Sequence, residues 1–589
     1  MNSAFIAAAM AVLYIIAYKT YGKFLAEKIF RINSSNKPPS VELKDDVDYV
    51  PTKKDVLFGH HFASIAGTGP IIGPAIAILW GWLPALIWVL FGSVFMGAVH
   101  DFGALIISMR NKGHSIGDLS GGLINKRVKL LFLLIIFFLL LIVIAIFGVV
   151  IGACFSIFPS SVIPVWSQIP IAVTLGWLIY KKGLPALPLT IAAVLLMYAT
   201  VVLGSYFPVE SLPALKLGSS GGHHLIEIQP IAIWVIVLLV YAYIASILPV
   251  QVLLQPRDYI NAYQLFVAMG LLGLGIIVSH PPMVAPVMQI DLEGAPPVFP
   301  MLFVIIACGA ISGFHSLVSS GTSSKQCDSE NSAQFIGYGS MLTEGMLATF
   351  VIIACGAGIG LGYMHDGVNY TGAEAFTEHY GSWKAVIGSG LKGKLNSFVT
   401  GARNMIASTG LSPQIALTVM GVFIVSFAAT TLDTATRIQR YIVSEIAVIF
   451  KMPALSGKYI STLIAVATAF ILAFYNTAFV NGTAVLSGKG ALTLWPLFGC
   501  TNQLLSGLAL LVITVYLAKT KRPIVFTLIP MIFMIVMTSY ALVLQIEKFH
   551  ADSNYLLLFI GTAVLLLQTW MVIESIFVLK KVYFNEKKD

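Results

Sequence analysis

Residues 59–70 read GHHFASIAGTGP and residues 313–322 read GFHSLVSSGT. With His61 set over His315, Gly67-Thr68 falls on Gly321-Thr322, and the offset is 254 residues at every matched position. Both phrases lie in apolar runs that ought to be continuous helices. Each carries an imidazole followed by residues that weaken a helix: Gly67, Gly69, Pro70, Gly73 and Pro74 in one copy, and Ser319, Ser320, Gly321 and Thr322 in the other. Gly is poor in helix interiors, and Pro removes a ladder hydrogen bond.

The surroundings of the two phrases set the class. Of 589 residues, 58% are hydrophobic and only 10% are charged, whereas about a quarter of a soluble domain is charged. Apolar runs long enough to cross about 30 Å of hydrocarbon recur from end to end. The fold class is therefore all-α, a polytopic integral membrane protein. The net charge of +9 does not point to nucleic acid, because the basic residues occupy alternate loops: Lys19, Lys23, Lys28 and Arg31; Arg110 to Lys129; Lys181-Lys182; Arg257; and Lys519 to Arg522. That distribution is the signature of orientation in a bilayer. Cys154, Cys308, Cys327, Cys355 and Cys500 form no C-x-x-C, which argues against a disulfide framework or a zinc site. The first apolar run has its charges after it, so it reads as an uncleaved span with the N-terminus outside.

Alternation of sides predicts about 15 crossings. In order they are Ser3–Tyr18, Phe62–Trp80, Leu83–Met109, Leu130–Phe158, Ile169–Tyr180, Leu187–Tyr206, Ile231–Leu248, Ala262–Ser279, Phe299–Ser320, Phe335–Tyr363, Pro413–Leu432, Tyr459–Phe479, Leu492–Ala518, Ile524–Leu544 and Tyr555–Leu579. The outer stretch from His365 to Lys394 is polar and partly helical, and Arg437–Phe450 is expected to be a separate interfacial helix. The C-terminus falls inside.

On this topology the His61 span runs outward and the His315 span runs inward, as an inverted repeat requires. Irregular backbone at membrane depth is tolerated only where it faces protein or a watery cavity. Two opposed broken helices therefore predict a shared midplane site, where half-helix N-termini meet an anion and loose carbonyls meet a cation. The bland reading is that Gly, Ser and Thr merely allow helices to pack closely.

At these residues the chain resembles the carbon starvation protein A (CstA) family of bacterial inner-membrane transporters. The matching stretches are FGHHFASIAGTGPIIGPAIA from Phe58, GAVHDF from Gly97, ISGFHSLVSSGT from Ile311, FIGYGSML from Phe335, TTLDTATRIQRYIVSE from Thr430 and WPLFGCTNQLL from Trp495. Ser324 and Gln334 stand where the family often has Pro and Arg, and the chain is short for the family. The resemblance implies a LeuT-like core (APC superfamily) of five plus five inverted-repeat helices with extra helices. Residues 1–54 would be a peripheral span and inner loop and 55–518 the core. Its first repeat would cover about 55–280, with one inserted hairpin, and its second about 299–518; residues 519–589 would be peripheral spans. It implies import of pyruvate or short peptides by cation-coupled alternating access, with the proton favoured over sodium. No cofactor and no obligate protein partner are implied; the partners are a small-molecule substrate and the lipid bilayer.

Candidate residues follow. For substrate they are His61, Ser64, Gly67, Thr68, Gly69, His315, Ser319, Ser320, Gly321, Thr322, Asn502 and Gln503. For ion coupling they are His61, Asp101, His315, Glu344, Thr430, Thr431 and Asp433. Histidine titrates near neutrality, and an intramembrane acid is a functional candidate because it is costly to keep. Against these stand structural readings: a neutral His at a helix break, Asp101 pairing with Arg110, Asp433 pairing with Arg437 or Arg440, and Asn502 and Gln503 as interhelical contacts. Arg403 is a candidate receiver of a substrate carboxylate, or an interfacial residue. No metal site is expected, since adjacent His60 and His61 point to different helix faces. The rival classes are an intramembrane metal-dependent hydrolase, which no H-E-x-x-H or G-x-S-x-G pattern supports, and a channel.

Overall fold

A computed structural model describes residues 1–210, 212–218, 225–388, 390–480 and 483–585. The chain is a multi-pass membrane protein; among the described residues 12 helices are long and apolar enough to cross a bilayer, with one further pair bent by 44°. The helices that matter for the site are α1 (Ser3–Ala17), α2 (Lys54–Ala66), α3 (Gly69–Ala77), α4 (Trp82–Gly92), α5 (Ala98–Arg110), α6 (Ile116–Leu123), α7 (Lys126–Ile157), α8 (Val162–Gly176), α9 (Ala186–Tyr206), α10 (Pro230–Ile247), α11 (Leu254–Ser279), α12 (Val298–Ile305), α13 (Gly313–Gly321), α14 (Ser340–Gly356), α15 (Gly390–Ala407), α16 (Pro413–Ile449), α17 (Lys458–Phe474) and α18 (Trp495–Lys519). Two more follow, α19 (Val525–Ala551) and α20 (Tyr555–Asn585). Of the 15 expected crossings, Phe62–Trp80 falls on the bent pair, Tyr459–Phe479 on the shorter helix α17, and Phe299–Ser320 on the two short helices α12 and α13.

Burial sorts these helices into a core and a cover. α14, α16 and α18 are mostly apolar all round and are enclosed by neighbours, so the few ionisable and amide groups they carry are buried with them. α1, α9 and α20 expose runs such as Phe5, Val12 and Ile16, or Leu187, Ile191 and Leu195, along one side. A lipid-facing surface needs no polar coat, so these outer helices pack by one stripe only. Short strands at Leu215–Leu217, Ile226–Ile228, Ala478–Val480 and Thr483–Leu486 pair into a small sheet over one end of the bundle.

Two expectations are corrected here. Arg437–Phe450 is not a separate interfacial helix: α16 runs unbroken for 37 residues, and Arg437 and Arg440 are buried within it. The charged turn stays inside because Asp48, from the loop before α2, meets both guanidinium groups, at 2.9 Å from Arg437 Nη1 and 3.0 Å from Arg440 Nη2. The second helix break is also not at Ser319–Thr322. Residues 313–321 form a regular helix, and the chain is irregular at 306–312 instead. The two His-x5-Gly-Thr phrases therefore occupy unlike places. In the first, Gly67 (φ +39°) and Thr68 are the break itself; in the second, Gly321 and Thr322 close a helix.

The loop carrying Asp48 straps this end of the bundle. Val50 N–H donates to Lys325 O (3.2 Å), Thr52 N–H to Gln326 O (2.9 Å) and Ser40 Oγ to Cys327 O (2.5 Å). Beside it, Arg110 pairs not with Asp101 but with Glu330, at 2.5 Å. Burial alone would raise the Asp48 carboxyl, but Arg440 and Arg437, with Lys325, outweigh it and bring the group down to about 2. A carboxylate held below its ordinary value stabilises the fold above that value and loses the contribution as pH falls through it. Asp48→Asn is expected to destabilise the protein by about 3 kcal/mol, because two buried guanidinium groups lose their counter-charge. The difference in melting between variant and parent should stay constant from pH 5 to pH 8 and shrink only below about pH 4.

Candidate functional site

The site begins with two gaps in backbone hydrogen bonding that lipid cannot fill. At the first break, Ser64 O, near the end of α2, accepts from Thr431 Oγ1 of α16 at 3.3 Å, and Thr68 O starts α3 by accepting from Ile71 and Ile72 N–H. At the second, four side chains meet the loosened backbone. Gln503 Nε2 donates to Phe303 O (2.9 Å) and Trp88 Nε1 to Ile306 O (3.0 Å). Gly309 N–H donates to Glu344 Oε1 (3.1 Å), and Phe314 N–H to Asn502 Oδ1 (2.9 Å). Asn502 Nδ2 also donates to Ser312 Oγ at 2.9 Å. Asn502 and Gln503 thus spend these hydrogen bonds on α12, α13 and the stretch between them.

The two breaks lie against each other because α3 is smooth where it faces α12. A Cβ on Gly69 would lie 2.5 Å from Cys308 Sγ, and one on Gly73 would lie 2.5 Å from Ile305 O. Small residues four apart let backbones approach to contact.

Across this contact runs the first of two buried ionisable clusters. His100 Nδ1 lies 2.7 Å from Asp101 Oδ1, and Asp101 Oδ2 lies 3.0 Å from His315 Nδ1. His315 Nε2 faces Glu344 Oε2 at 3.4 Å. His100, Asp101, His315 and Glu344 are all fully buried. One imidazole between two carboxylates is the arrangement that keeps such groups affordable in a low-dielectric interior, since unpaired buried charge is far costlier than paired. α5, α13 and α14 supply one residue each to this Asp–His–Glu line, so it spans three separate helices.

The second cluster contains the candidates Thr430 and Asp433, but its partners for them were not visible in the sequence. Arg257, which the charge pattern assigns to a loop, is buried near the start of α11 and pairs with Asp433 Oδ2 of α16. It also donates to Thr430 Oγ1 at 2.8 Å and to Tyr241 Oη, while Tyr241 Oη donates to Asp433 Oδ2 at 2.8 Å. Asp433 therefore pairs with neither Arg437 nor Arg440. Asp258, next along α11, lies 2.6 Å from His60 Nδ1. The signal was the Arg257-Asp258 pair itself, but a helix starting at Ala262 leaves both outside the membrane, whereas α11 starts at Leu254.

The remaining candidates are placed as follows. His61 Nδ1 lies 2.8 Å from Ser323 Oγ, and its Nε2 has no partner among the described residues; His60 and His61 do face different neighbours, as their adjacency requires. Ser64 Oγ meets Thr434 Oγ1 at 3.0 Å, and Thr431 lies beside Gly67. Ser319 Oγ is buried without a partner among the described residues, Ser320 Oγ accepts from Ile116 N–H at 3.0 Å, and Thr322 Oγ1 lies 3.4 Å from His60 Nε2. Gly321 packs towards Ile438. Arg403 on α15 donates to Asn404 Oδ1, away from both clusters. A small cavity lined by Phe155, Trp166, Gln168, Tyr241, Arg257 and Ala429 adjoins the second cluster.

A model of the family "Carbon starvation protein CstA" matches residues 2–541. A peptide transporter CstA of Helicobacter pylori J99 is 31% identical over 94% of this chain and 83% of its own length. The pyruvate/proton symporter BtsT of Escherichia coli K12 is 30% identical over 93% and 82% respectively. The peptide transporter CstA of Bacillus subtilis 168 is 31% identical over 92% and 90%. Among solved structures, a manganese transporter of Eremococcus coleocola shares 12% identity over 92% of this chain and 99% of its own, with a TM-score of 0.48, too loose a likeness to locate a site.

The second cluster generates a stability test. Arg257→Met leaves Asp433 buried without its cation and is expected to cost about 3–5 kcal/mol, read as a lower melting temperature in detergent. The double replacement Arg257→Met with Asp433→Leu should recover most of that loss, because neither charge then remains buried unpaired.

Proposed function

The chain belongs to the carbon starvation protein CstA family, and on that premise we propose that it is a secondary active transporter that imports a small carboxylate, pyruvate or a short peptide, by proton-coupled alternating access. Two relatives carry those substrates in their names, one a peptide transporter and one a pyruvate/proton symporter. The observation that carries the reading is the Asp101–His315–Glu344 line, three fully buried ionisable groups on three helices at the contact between two broken ones. A proton added to such a line changes the charge of the joint between α5, α13 and α14. The packing it prefers therefore depends on its load, which is what coupling requires.

Proton coupling is supported over sodium by the occupancy of the alternative site. The hydroxyl of Thr430 and the carboxylate of Asp433, which would ligate a hard cation, are both engaged by the Arg257 guanidinium. A sodium ion there would have to displace a buried cation of the same sign.

The proposed architecture is the LeuT-like five-plus-five core. Residues about 55–280 and 299–518 are its two repeats, with one inserted hairpin in the first, and residues 1–54 and 519–589 are peripheral. The break at 67–68 in one half and at 306–312 in the other supports that division, each falling within the first core helix of its half. In this reading the protein sits in a bacterial inner membrane, N-terminus outside and C-terminus inside, and it is a carrier rather than an enzyme.

The test is uptake of labelled pyruvate and of a labelled dipeptide into proteoliposomes. An inward proton gradient in sodium-free buffer should drive accumulation of at least one of them, a protonophore should abolish it, and His315→Ala should reduce it by at least about tenfold. Accumulation that persists without the gradient, or that His315→Ala leaves intact, would refute the coupling assignment.

A further inference from the structure

Of the two buried clusters, the first has an unusual pair of loose ends. Among the described residues, His315 Nε2 and Glu344 Oε2 are both buried without a hydrogen-bond partner, although they face each other at 3.4 Å. A charge-assisted hydrogen bond between them would be roughly 2.7–2.9 Å long. The observed gap instead matches the edge of a coordination tetrahedron: ligand bonds of about 2.0–2.2 Å at tetrahedral angles put two donor atoms roughly 3.4 Å apart.

A third donor completes the face. Cys308 lies in the irregular stretch between α12 and α13, and the three ligand atoms of Cys308, His315 and Glu344 all lie within 4.8 Å of one another. Cys308 and the two others are buried. The outer atoms of these ligands are themselves oriented. His315 Nδ1 faces Asp101 Oδ2 at 3.0 Å, and Glu344 Oε1 accepts from Gly309 N–H at 3.1 Å. A metal-ligating histidine characteristically donates its other ring nitrogen to a carboxylate, which fixes the ring and raises the basicity of the free nitrogen.

We infer that Cys308, His315 and Glu344 form a binding site for one divalent transition-metal ion of borderline softness, of the zinc or cobalt class. The donor set excludes a hard cation: calcium and magnesium take oxygen ligands, whereas a thiolate with an imidazole and one carboxylate selects metals of the zinc type. Three protein ligands leave the fourth position of a tetrahedral ion open. On binding, bonds form from the metal to Sγ, Nε2 and Oε2. The thiol proton, and any proton on Nε2 or Oε2, leave to solvent. The Nδ1 proton stays between His315 and Asp101.

Binding itself follows from the three ligands alone. Its consequence for transport rests on the proposed function: an ion on His315 and Glu344 excludes a proton from the same atoms, so the metal acts as a competitor of the coupling proton and arrests the cycle.

The experiment uses the full purified chain in detergent, titrated with Co²⁺ alone. One equivalent is expected to bind with a thiolate-to-cobalt charge-transfer band and the intense visible bands of tetrahedral cobalt, and Zn²⁺ should bleach them. A variant with Cys154, Cys327, Cys355 and Cys500 all replaced by Ala should keep the spectrum, and Cys308→Ser should abolish the charge-transfer band. Asp101→Asn should weaken the affinity by about 10–100-fold. If the parent protein shows no charge-transfer band, or if Cys308→Ser retains it, the inference is overturned. Should Cys308→Ser fail to fold, X-ray absorption on the zinc-loaded parent decides: one sulfur with nitrogen and oxygen neighbours supports the site, and a shell without sulfur overturns it. In proteoliposomes, Zn²⁺ should then inhibit uptake at least about tenfold in the parent and spare Cys308→Ser. A cobalt spectrum without any substrate uptake would disprove the transport assignment and leave the metal site standing.

Discussion

The structure depends on one constraint: peptide groups set free inside a membrane must find partners within the protein, because hydrocarbon offers none. Two helices are broken here, at 67–68 and at 306–312, and both breaks are paid for by side chains from elsewhere in the chain. Thr431 meets the carbonyl of Ser64; Gln503, Trp88, Glu344 and Asn502 meet the backbone of the second break. Those partners lie on α4, α14, α16 and α18. The breaks consequently fix the mutual arrangement of the innermost helices as much as those helices fix the breaks.

The same constraint, applied to charge, explains the two ionisable clusters. Each is close to self-sufficient: a histidine between two carboxylates on one side of the broken helices, and an arginine between Asp433 and Asp258 on the other. Glu344 belongs to both stories, since one of its oxygens holds the backbone of the break and the other faces His315. Under the proposed function, a change in the load on His315 reaches the peptide at Gly309 through this one carboxylate.

Much of the candidate site was legible because buried ionisable residues in apolar sequence are rare and stand out. His61, Asp101, His315, Glu344 and Asp433 all prove to be buried among other polar groups. Asn502 and Gln503 stood out for the same reason, yet pattern alone does not distinguish an amide that contacts a substrate from one that holds a helix terminus. Arg257 falls in a loop on the charge pattern because a basic residue at the edge of an apolar run ordinarily marks the membrane surface. Only the partner 176 residues away, Asp433, allows Arg257 to go inside. Cys308 looked like one more apolar residue, since nothing in its neighbours in sequence announces a carboxylate and an imidazole across from it.

The chain by itself determined that this is a helical membrane protein, where its spans lie, and that one helix breaks at Gly67, because composition, run length and backbone permissiveness are local properties. The repeated His-x5-Gly-Thr phrase misled for an equally plain reason: glycine next to threonine permits a break without requiring one. Whether the chain opens there or six residues before a histidine depends on which neighbouring side chains satisfy the freed peptide groups. That choice, like the pairing of each buried charge, is made between residues distant in sequence and belongs to the tertiary structure alone.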